Sequence, residues 1–502
     1  MPSGISPVFT LYLEKITMFF KPVIIFLFFL LFYIGTSRIY VLTDTVVATY
    51  LPVSLIRGNG FNVEKTFPAI NKILPQNPNM SDPPYYVIHE NNRYFSAFPV
   101  FSSLLATPIY FIPVILKGIT LENLNLDENI TLVLSLGKIS AAFFAAVSTV
   151  FVYLSAKQFL KKEKALLLTL LYALGTSTLS ISSQSLWQHG ASQMFLAITI
   201  YFFILGQKKK HLLPATGLFL GFATIARFAN VFITLIFLVY FLIFERKSAF
   251  KFLLLTLPAI FFFVWYQITY PGNIFFYKYE AWGEIAKLNS SYLAGFLGLL
   301  IAPSKGLFVY SPIFLFSLLG SLLTFRKKIK AMRFFSVLVG LYVLSIASWS
   351  DWHGGWSYGP RMLADITPFL ILLLAPVIKI NKMWQNKIFK ATFFLVAFFS
   401  IFVHFLGSTV ADFSWYQIQT RFLPVEESHK ATFLWDWKYP EIYSFYLGAG
   451  GFFGTVYVFS IEIINIALTM IKGFAIFGII FTIYLIFKRI CKNLAPQITK
   501  FL

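Results

Sequence analysis

AFPVFSSLLATPIYFIPVILK, residues 97–117, decides how this chain is threaded. It is apolar and as long as a membrane-crossing helix, for which about 20 apolar residues suffice. Counted as a span, it would export the basic linker KQFLKKEK (157–164) and bring the acidic LENLNLDEN (121–129) inside. That reverses the usual retention of Lys and Arg on the cytoplasmic side. It also contains Pro99, Pro108 and Pro113, each costly inside a helix. It is therefore read as a re-entrant or interfacial segment on the outer side. SYLAGFLGLLIAP (291–303) and part of 442–466 read the same way.

Outward from this segment, apolar runs mark spans at roughly 18–37, 132–156, 165–184, 191–206, 212–226, 228–244, 252–270, 307–325, 334–350, 366–380, 391–410 and 467–487. The expected fold class is an all-α polytopic membrane protein of about 12 transmembrane helices, with interfacial helices in extracytoplasmic loops. Both termini are then cytoplasmic. Of the 502 residues, 58% are hydrophobic and only 12% charged. The mean hydropathy is +0.74. These values exclude a disordered chain, a disulfide-rich secreted domain and an ordinary cytosolic enzyme. Cys491 is the single cysteine, so no internal disulfide exists.

The net charge of +21 would suggest nucleic-acid binding in a soluble protein. Here nearly all of the excess falls in short linkers: KQFLKKEK, QKKKH, ERKSAFK, RKKIKAMR, KINKMWQNKIFK and the tail KRICKNLAPQITK. The charge is therefore topological, and no nucleic-acid partner is expected. The other linkers form large outer loops at 38–131, 271–306 and 411–466. They hold three glycosylation triplets, at Asn79, Asn129 and Asn289.

Five constellations could carry chemistry, and each has a plain structural reading beside it. Asp44 stands just beyond the first span, among apolar residues, where a carboxylate with a raised pKa could act as a general base. It could equally cap the helix that follows. Lys305, in LLIAPSKGLFVYSPIF (299–314), offers a point charge for phosphate, or only a snorkelling amine in a turn. SWSDWHGGWSYGPRMLAD (348–365) is the densest group. It sets Asp351, His353, Arg361 and Asp365 among Trp349, Trp352, Trp356 and Tyr358, with turns forced at Gly354-Gly355 and Gly359-Pro360. An interfacial aromatic belt explains the tryptophans but not an Arg, a His and two Asp on one short loop. Arg361 suits an anionic head group, and the ring faces suit a sugar or lipid head group. In SSQSLWQHGASQ (182–193), Gln188 and His189 could bond hydroxyls or phosphate, or merely close a polar turn. Arg227, between two short apolar runs, reads as a support for the site or a paired structural charge. No HExxH, paired cysteines, GxxxxGK[ST] or GxSxG appears.

The chain resembles polytopic GT-C-type glycosyltransferases, in particular the protein-mannosyltransferase and lipid A aminoarabinose-transferase branch, glycosyltransferase 39-like. It is closest to uncharacterised bacterial members. The resemblance rests on TDTVVATYLPVSLIRGNGF, SLWQHG, SKGLFVYSP and WHGGWSYGPRML, and covers roughly 38–375. It implies a catalytic module over 1–380 and further transmembrane helices over 381–502. It also implies a site on the extracytoplasmic side of the cell inner membrane, where a polyprenyl-phosphate-linked sugar is passed to a glycan, lipid or protein. In such enzymes the acid after the first span is the catalytic base or helps bind a metal, a role that maps onto Asp44. Donor phosphate maps onto Lys305 and Arg361, with His353 beside them. Gln188, His189, Asp351, Trp352, Trp356 and Tyr358 become substrate-binding candidates. Related enzymes often carry two adjacent acids, whereas Thr45 follows Asp44 here. A second acid would come from Asp82, Glu90 or Asp351. This leaves room for a divalent cation, Mg or Mn, without requiring one. Two other classes share these features: a multi-pass transporter or lipid flippase, and a non-catalytic assembly subunit of a cell-envelope glycan pathway.

Overall fold

Residue 7 begins a 29-residue helix, α1 (Pro7–Gly35), that carries the first apolar run across. A computed structural model describes residues 7–36, 43–74, 84–90, 93–270, 291–327, 329–410, 415 and 432–498. Among them the chain is an all-α polytopic membrane protein, its only sheet a two-stranded hairpin, β1 (Val87–Glu90) against β2 (Arg93–Ser96). Seven helices among the described residues are long and apolar enough to cross a membrane, and shorter apolar helices accompany them.

The helices α2 (Thr43–Ile56) and α3 (Phe67–Ile73) follow α1, and α4 (Phe101–Leu116) follows the hairpin. This α4 is the segment on which the threading turned. It lies along α2, and the reason is a proline. Pro52 within α2 has no N–H, which leaves the Ala48 carbonyl without its intrahelical donor. The Ser103 hydroxyl of α4 donates to that carbonyl at 2.9 Å. Ile112 and Leu116 near the end of α4 stay exposed.

The bundle continues through α5 (Asp127–Ala156), α6 (Lys162–Leu174), α7 (Gln188–Lys208), α8 (Ala215–Ala226), α9 (Val231–Phe244) and α10 (Arg246–Thr269). Next come α11 (Tyr292–Ile301), α12 (Leu315–Lys327) and α13 (Lys330–Ala347). A broken helical run spans Arg361–Lys379, and α14 (Lys387–Thr409), α15 (Glu441–Gly448) and α16 (Gly451–Ile498) complete the chain. Phe250, Phe261 and Ile268 of α10 are exposed. Such a flank would be a liability in water; here it is the face turned to lipid.

One expected span and one expected interfacial segment take other forms. The run 165–184 is not one helix: α6 stops at Leu174, and a π turn occupies Thr178–Ser182. Hydroxyl side chains break it. Thr176 Oγ1 donates to the Tyr172 carbonyl at 2.7 Å and accepts from the Thr178 N–H at 3.2 Å, bonds that compete with the helical ladder. The expected interfacial segment within 442–466 is divided instead. It ends as α15, turns at Gly450 and Gly451 with φ of +93° and +66°, and resumes as the first half of the 48-residue α16. Only glycine takes two such angles in succession cheaply.

The last helix closes on the first. Gly35 of α1 faces Ile466 so closely that a Cβ there would sit 2.7 Å from its Cα, and Gly473 of α16 leaves room for the Leu31 side chain. Without a hydrophobic drive inside lipid, close backbone approach at small residues is what joins two helices. The C-terminal end of α1 is also tied by hydrogen bonds: Lys138 of α5 donates to Thr36 Oγ1 at 2.8 Å and to Gln184 Oε1 at 2.6 Å.

Candidate active site

Asp44 lies in the first turn of α2, and its carboxylate does not cap that helix. Oδ2 accepts from Arg361 Nη1 at 2.6 Å, across 317 positions of sequence. Oδ1 accepts from the Tyr85 hydroxyl at 3.2 Å, and that hydroxyl also bonds Thr43 Oγ1. Tyr85 precedes the β hairpin, so the hairpin presents it to the acid. Burial and the nearby Asp44 charge both push the Tyr85 hydroxyl above its ordinary pKa, which keeps it a donor. The Arg361 and Asp44 side chains are 11% and 15% exposed: sheltered, yet open to a ligand.

Arg361 is held from its other side by an aromatic face. Its guanidinium lies over the Trp187 ring, 4.6 Å from the centroid, a cation–π contact. Its Nε is buried with no hydrogen-bond acceptor among the described residues. Trp187 is itself 1% exposed, just ahead of α7.

One turn beyond Arg361, Asp365 anchors the same segment. Its Oδ2 receives Arg227 Nη1 at 2.5 Å and lies 3.0 Å from His189 Nδ1, and its Oδ1 receives the Ser192 hydroxyl. Arg227 also donates to the Tyr342 hydroxyl at 2.8 Å. All of these groups are buried. Arg227 therefore supports the loop from beneath, and His189 points at Asp365 rather than into the opening. Gln188, half-buried, begins α7 beside them.

A second anchor fixes the loop's apex. Gly359 has a φ of +62°, and its N–H donates to Glu441 Oε2 at 3.0 Å. The Tyr310 hydroxyl donates to the same oxygen at 2.6 Å. Lys305 Nζ lies 3.8 Å from Glu441 Oε2 and also donates to the Ser357 carbonyl. At 1% exposure this lysine is no snorkelling amine. Burial pulls its pKa down to about 8, against the partial support of Glu441. Tyr358 is buried and donates to the Val403 carbonyl at 2.8 Å. Gly354, Gly355 and Gly359 all take positive φ, so the turns expected of them are present.

The remaining loop candidates precede Arg361 in the chain. Asp351 Oδ1 lies 3.3 Å from His353 Nδ1. Trp352 is buried beside them at an edge to the His353 ring, while Trp356 is half exposed. Glu90 stands at the hairpin end, opposite Arg93. Asp82 and the triplets at Asn79 and Asn289 lie outside the described residues. Among the described residues no three His, Cys, Asp or Glu side chains are grouped to hold a metal ion. The described groups around Asp44 are a tyrosine and a threonine hydroxyl and a guanidinium.

The sequence reading passed over three residues that complete the site. Trp187 stood inside the quoted SLWQHG phrase. Tyr85 followed Pro83 and Pro84 in the first outer loop. Glu441 lay in a region read only for hydropathy. Only Trp187 carried a usable signal, as a ring next to polar residues at the mouth of a helix.

A family model described as dolichyl-phosphate-mannose-protein mannosyltransferase matches residues 137–267. No curated protein and no solved structure matches the chain. The match bears out the resemblance to GT-C glycosyltransferases over that stretch and supports a membrane glycosyltransferase of the GT-C type. It includes Trp187, His189 and Arg227, and it leaves Asp44 and Arg361 outside.

Proposed function

We propose that this protein moves a sugar from a polyprenyl-phosphate donor to an acceptor hydroxyl on the extracytoplasmic face of the cell inner membrane. The observation that carries the reading is the 2.6 Å pair of Arg361 and Asp44. It sets a guanidinium suited to phosphate beside a carboxylate suited to act as a base, from positions 317 apart.

In this reading the donor phosphate takes the Arg361 guanidinium from Asp44. The exchange frees the carboxylate at the moment the donor is seated. The acceptor oxygen then attacks the anomeric carbon from the face opposite the phosphate. Its proton passes to Asp44, the bond from the anomeric carbon to the phosphate oxygen breaks, and polyprenyl phosphate leaves. Arg361 stabilises the charge that develops on the leaving group. One displacement inverts the anomeric centre, and the paired acids of a retaining glycosidase are not needed. Lys305 acts by position and field, fixing the loop through Ser357 and Glu441. Trp356 and His353 line the approach to the pair for sugar or head group, the His353 ring oriented by the Gly355 N–H that donates to its Nδ1 at 3.0 Å.

The test is an in vitro transfer assay with a panel of polyprenyl-phosphate sugars, comparing the wild type with Asp44→Asn. Product that depends on both donor and Asp44 supports the enzyme. Donor moved between leaflets without a new glycosidic bond would favour the flippase reading, and neither activity would favour an assembly subunit.

A further inference from the structure

Away from the Asp44–Arg361 pair, the basic end of the bundle carries a cavity of about 880 Å³ that the proposed transfer does not use. It opens where the end of α7, the end of α9 and the start of α13 meet. Lys208, Lys210, Lys330 and Arg333 line it, against the single acid Glu245. Phe244 and Val337 line its wall and are 68% and 48% exposed, so the cavity opens onto the lipid-facing flank. Its depth in the membrane follows from α7. That helix starts beside Trp187, under Arg361, and ends at Lys208. Twenty-one residues at about 1.5 Å each place the two sites roughly 31 Å apart, close to the thickness of the hydrocarbon core.

The four cations are not equivalent. Lys210 is paired with Glu245. Arg333 is spent on helix-end carbonyls, donating to Phe325 at 3.0 Å and Thr324 at 3.4 Å. Lys208 makes one long contact, 3.4 Å to Gln158 Oε1, and Lys330 is exposed on the rim. Two ammonium groups thus stand ready above an apolar wall. Charge retained inside by topology alone needs no cavity; a cavity with a cationic rim and a lipid-facing apolar side fits one amphiphile.

We infer that this cavity binds an anionic phospholipid of the leaflet opposite the Asp44–Arg361 pair, its phosphate on Lys208 and Lys330 and an acyl chain along Phe244 and Val337. The inference is independent of the transfer reaction and needs no donor.

The experiment is native mass spectrometry of the full chain in detergent, titrated with phosphatidylglycerol or phosphatidylcholine. One phosphatidylglycerol per chain is expected, held in preference to phosphatidylcholine. Lys208→Gln/Lys330→Gln weakens it by about tenfold or more, since each basic group near an anionic lipid contributes about a factor of five. Lys162→Gln/Lys247→Gln removes two exposed charges from the same end outside the cavity and leaves binding unchanged. Equal loss in both double variants would overturn the proposal, as would equal retention of phosphatidylcholine or no retained lipid at all. Displacement of the lipid by millimolar inorganic phosphate would overturn it too, assigning the rim to soluble anions. Val337→Gln provides a second arm with the charges intact: weaker lipid binding supports the apolar wall, and unchanged binding contradicts it.

Discussion

Replacing Asp44 by asparagine should separate donor binding from transfer in opposite directions. The Arg361–Asp44 contact is 2.6 Å long between side chains that are 11% and 15% exposed. Exposed pairs contribute about 0–1 kcal/mol, whereas hydrogen bonds to charged groups away from solvent contribute about 1.5–3 kcal/mol. This pair lies between, near 1.5–2 kcal/mol. A donor phosphate has to break it to reach Arg361. Asparagine is nearly isosteric and still accepts from Tyr85, but it does not hold the guanidinium as an anion does. Donor affinity should therefore rise by about 10- to 30-fold, at 1.4 kcal/mol per factor of ten. Transfer should fall by about 10²–10⁴-fold through loss of the base. Affinity is read by equilibrium binding of a non-transferable phosphonate analogue of the donor to the protein in nanodiscs, and turnover by product formation. Unchanged or weaker binding by Asp44→Asn would refute the exchange between carboxylate and phosphate. Normal turnover would remove Asp44 from the base role even if binding tightened.

Four further outcomes follow from the same geometry. Trp187→Leu, which removes the ring 4.6 Å from Arg361, should weaken donor binding by about 0.5–2 kcal/mol with little change in turnover at saturation, as read from KM and kcat. Asp365→Asn should lower the thermal midpoint sharply, because it leaves Arg227 buried without its anion, a loss of about 3–5 kcal/mol; Arg227→Met in the same chain should restore most of it. Gly359→Ala should cost about 1–2 kcal/mol in the left-handed region alone, and its Cβ would meet the Tyr310 ring at 2.6 Å, so both thermal midpoint and donor affinity should fall. For Lys305, with a pKa of about 8 against the ordinary 10.5 of a lysine, the unfolded chain holds the proton between those values and the folded chain does not. Stability should therefore rise as pH goes from about 8 to 10, and this slope should vanish in Lys305→Met/Glu441→Gln when midpoints are measured across that range.

The fold was legible because the membrane enforces a simple code of long apolar helices joined by short polar linkers. That code fails where helices break on hydroxyl groups or glycines, as at Thr176 and at Gly450-Gly451, since hydropathy averages over both. At the site, Asp44 and Arg361 were visible as charges at the ends of spans. Their pairing was not, because no spacing rule connects positions 317 apart. The lysine at 305 shows the limit most clearly. Its residue type and small neighbours suggested an open phosphate ligand, while its ammonium is turned inward to Glu441, an acid that hydropathy alone gave no reason to choose.

The seam between α1 and α16 has a consequence in time. The helix that leads to Asp44 is made about 400 residues before the helix that clasps it at Gly35 and Gly473. Asp44 waits a further 317 residues for Arg361, and α1 gains its closing partner only once the segment after residue 451 is made. A nascent chain stopped before residue 451 would contain Asp44, Tyr85, Trp187 and Arg361, yet α1 would lack its terminal clasp. Synthesis through α16 therefore precedes a fully clasped α1, and the Asp44–Arg361 pair takes its final setting late.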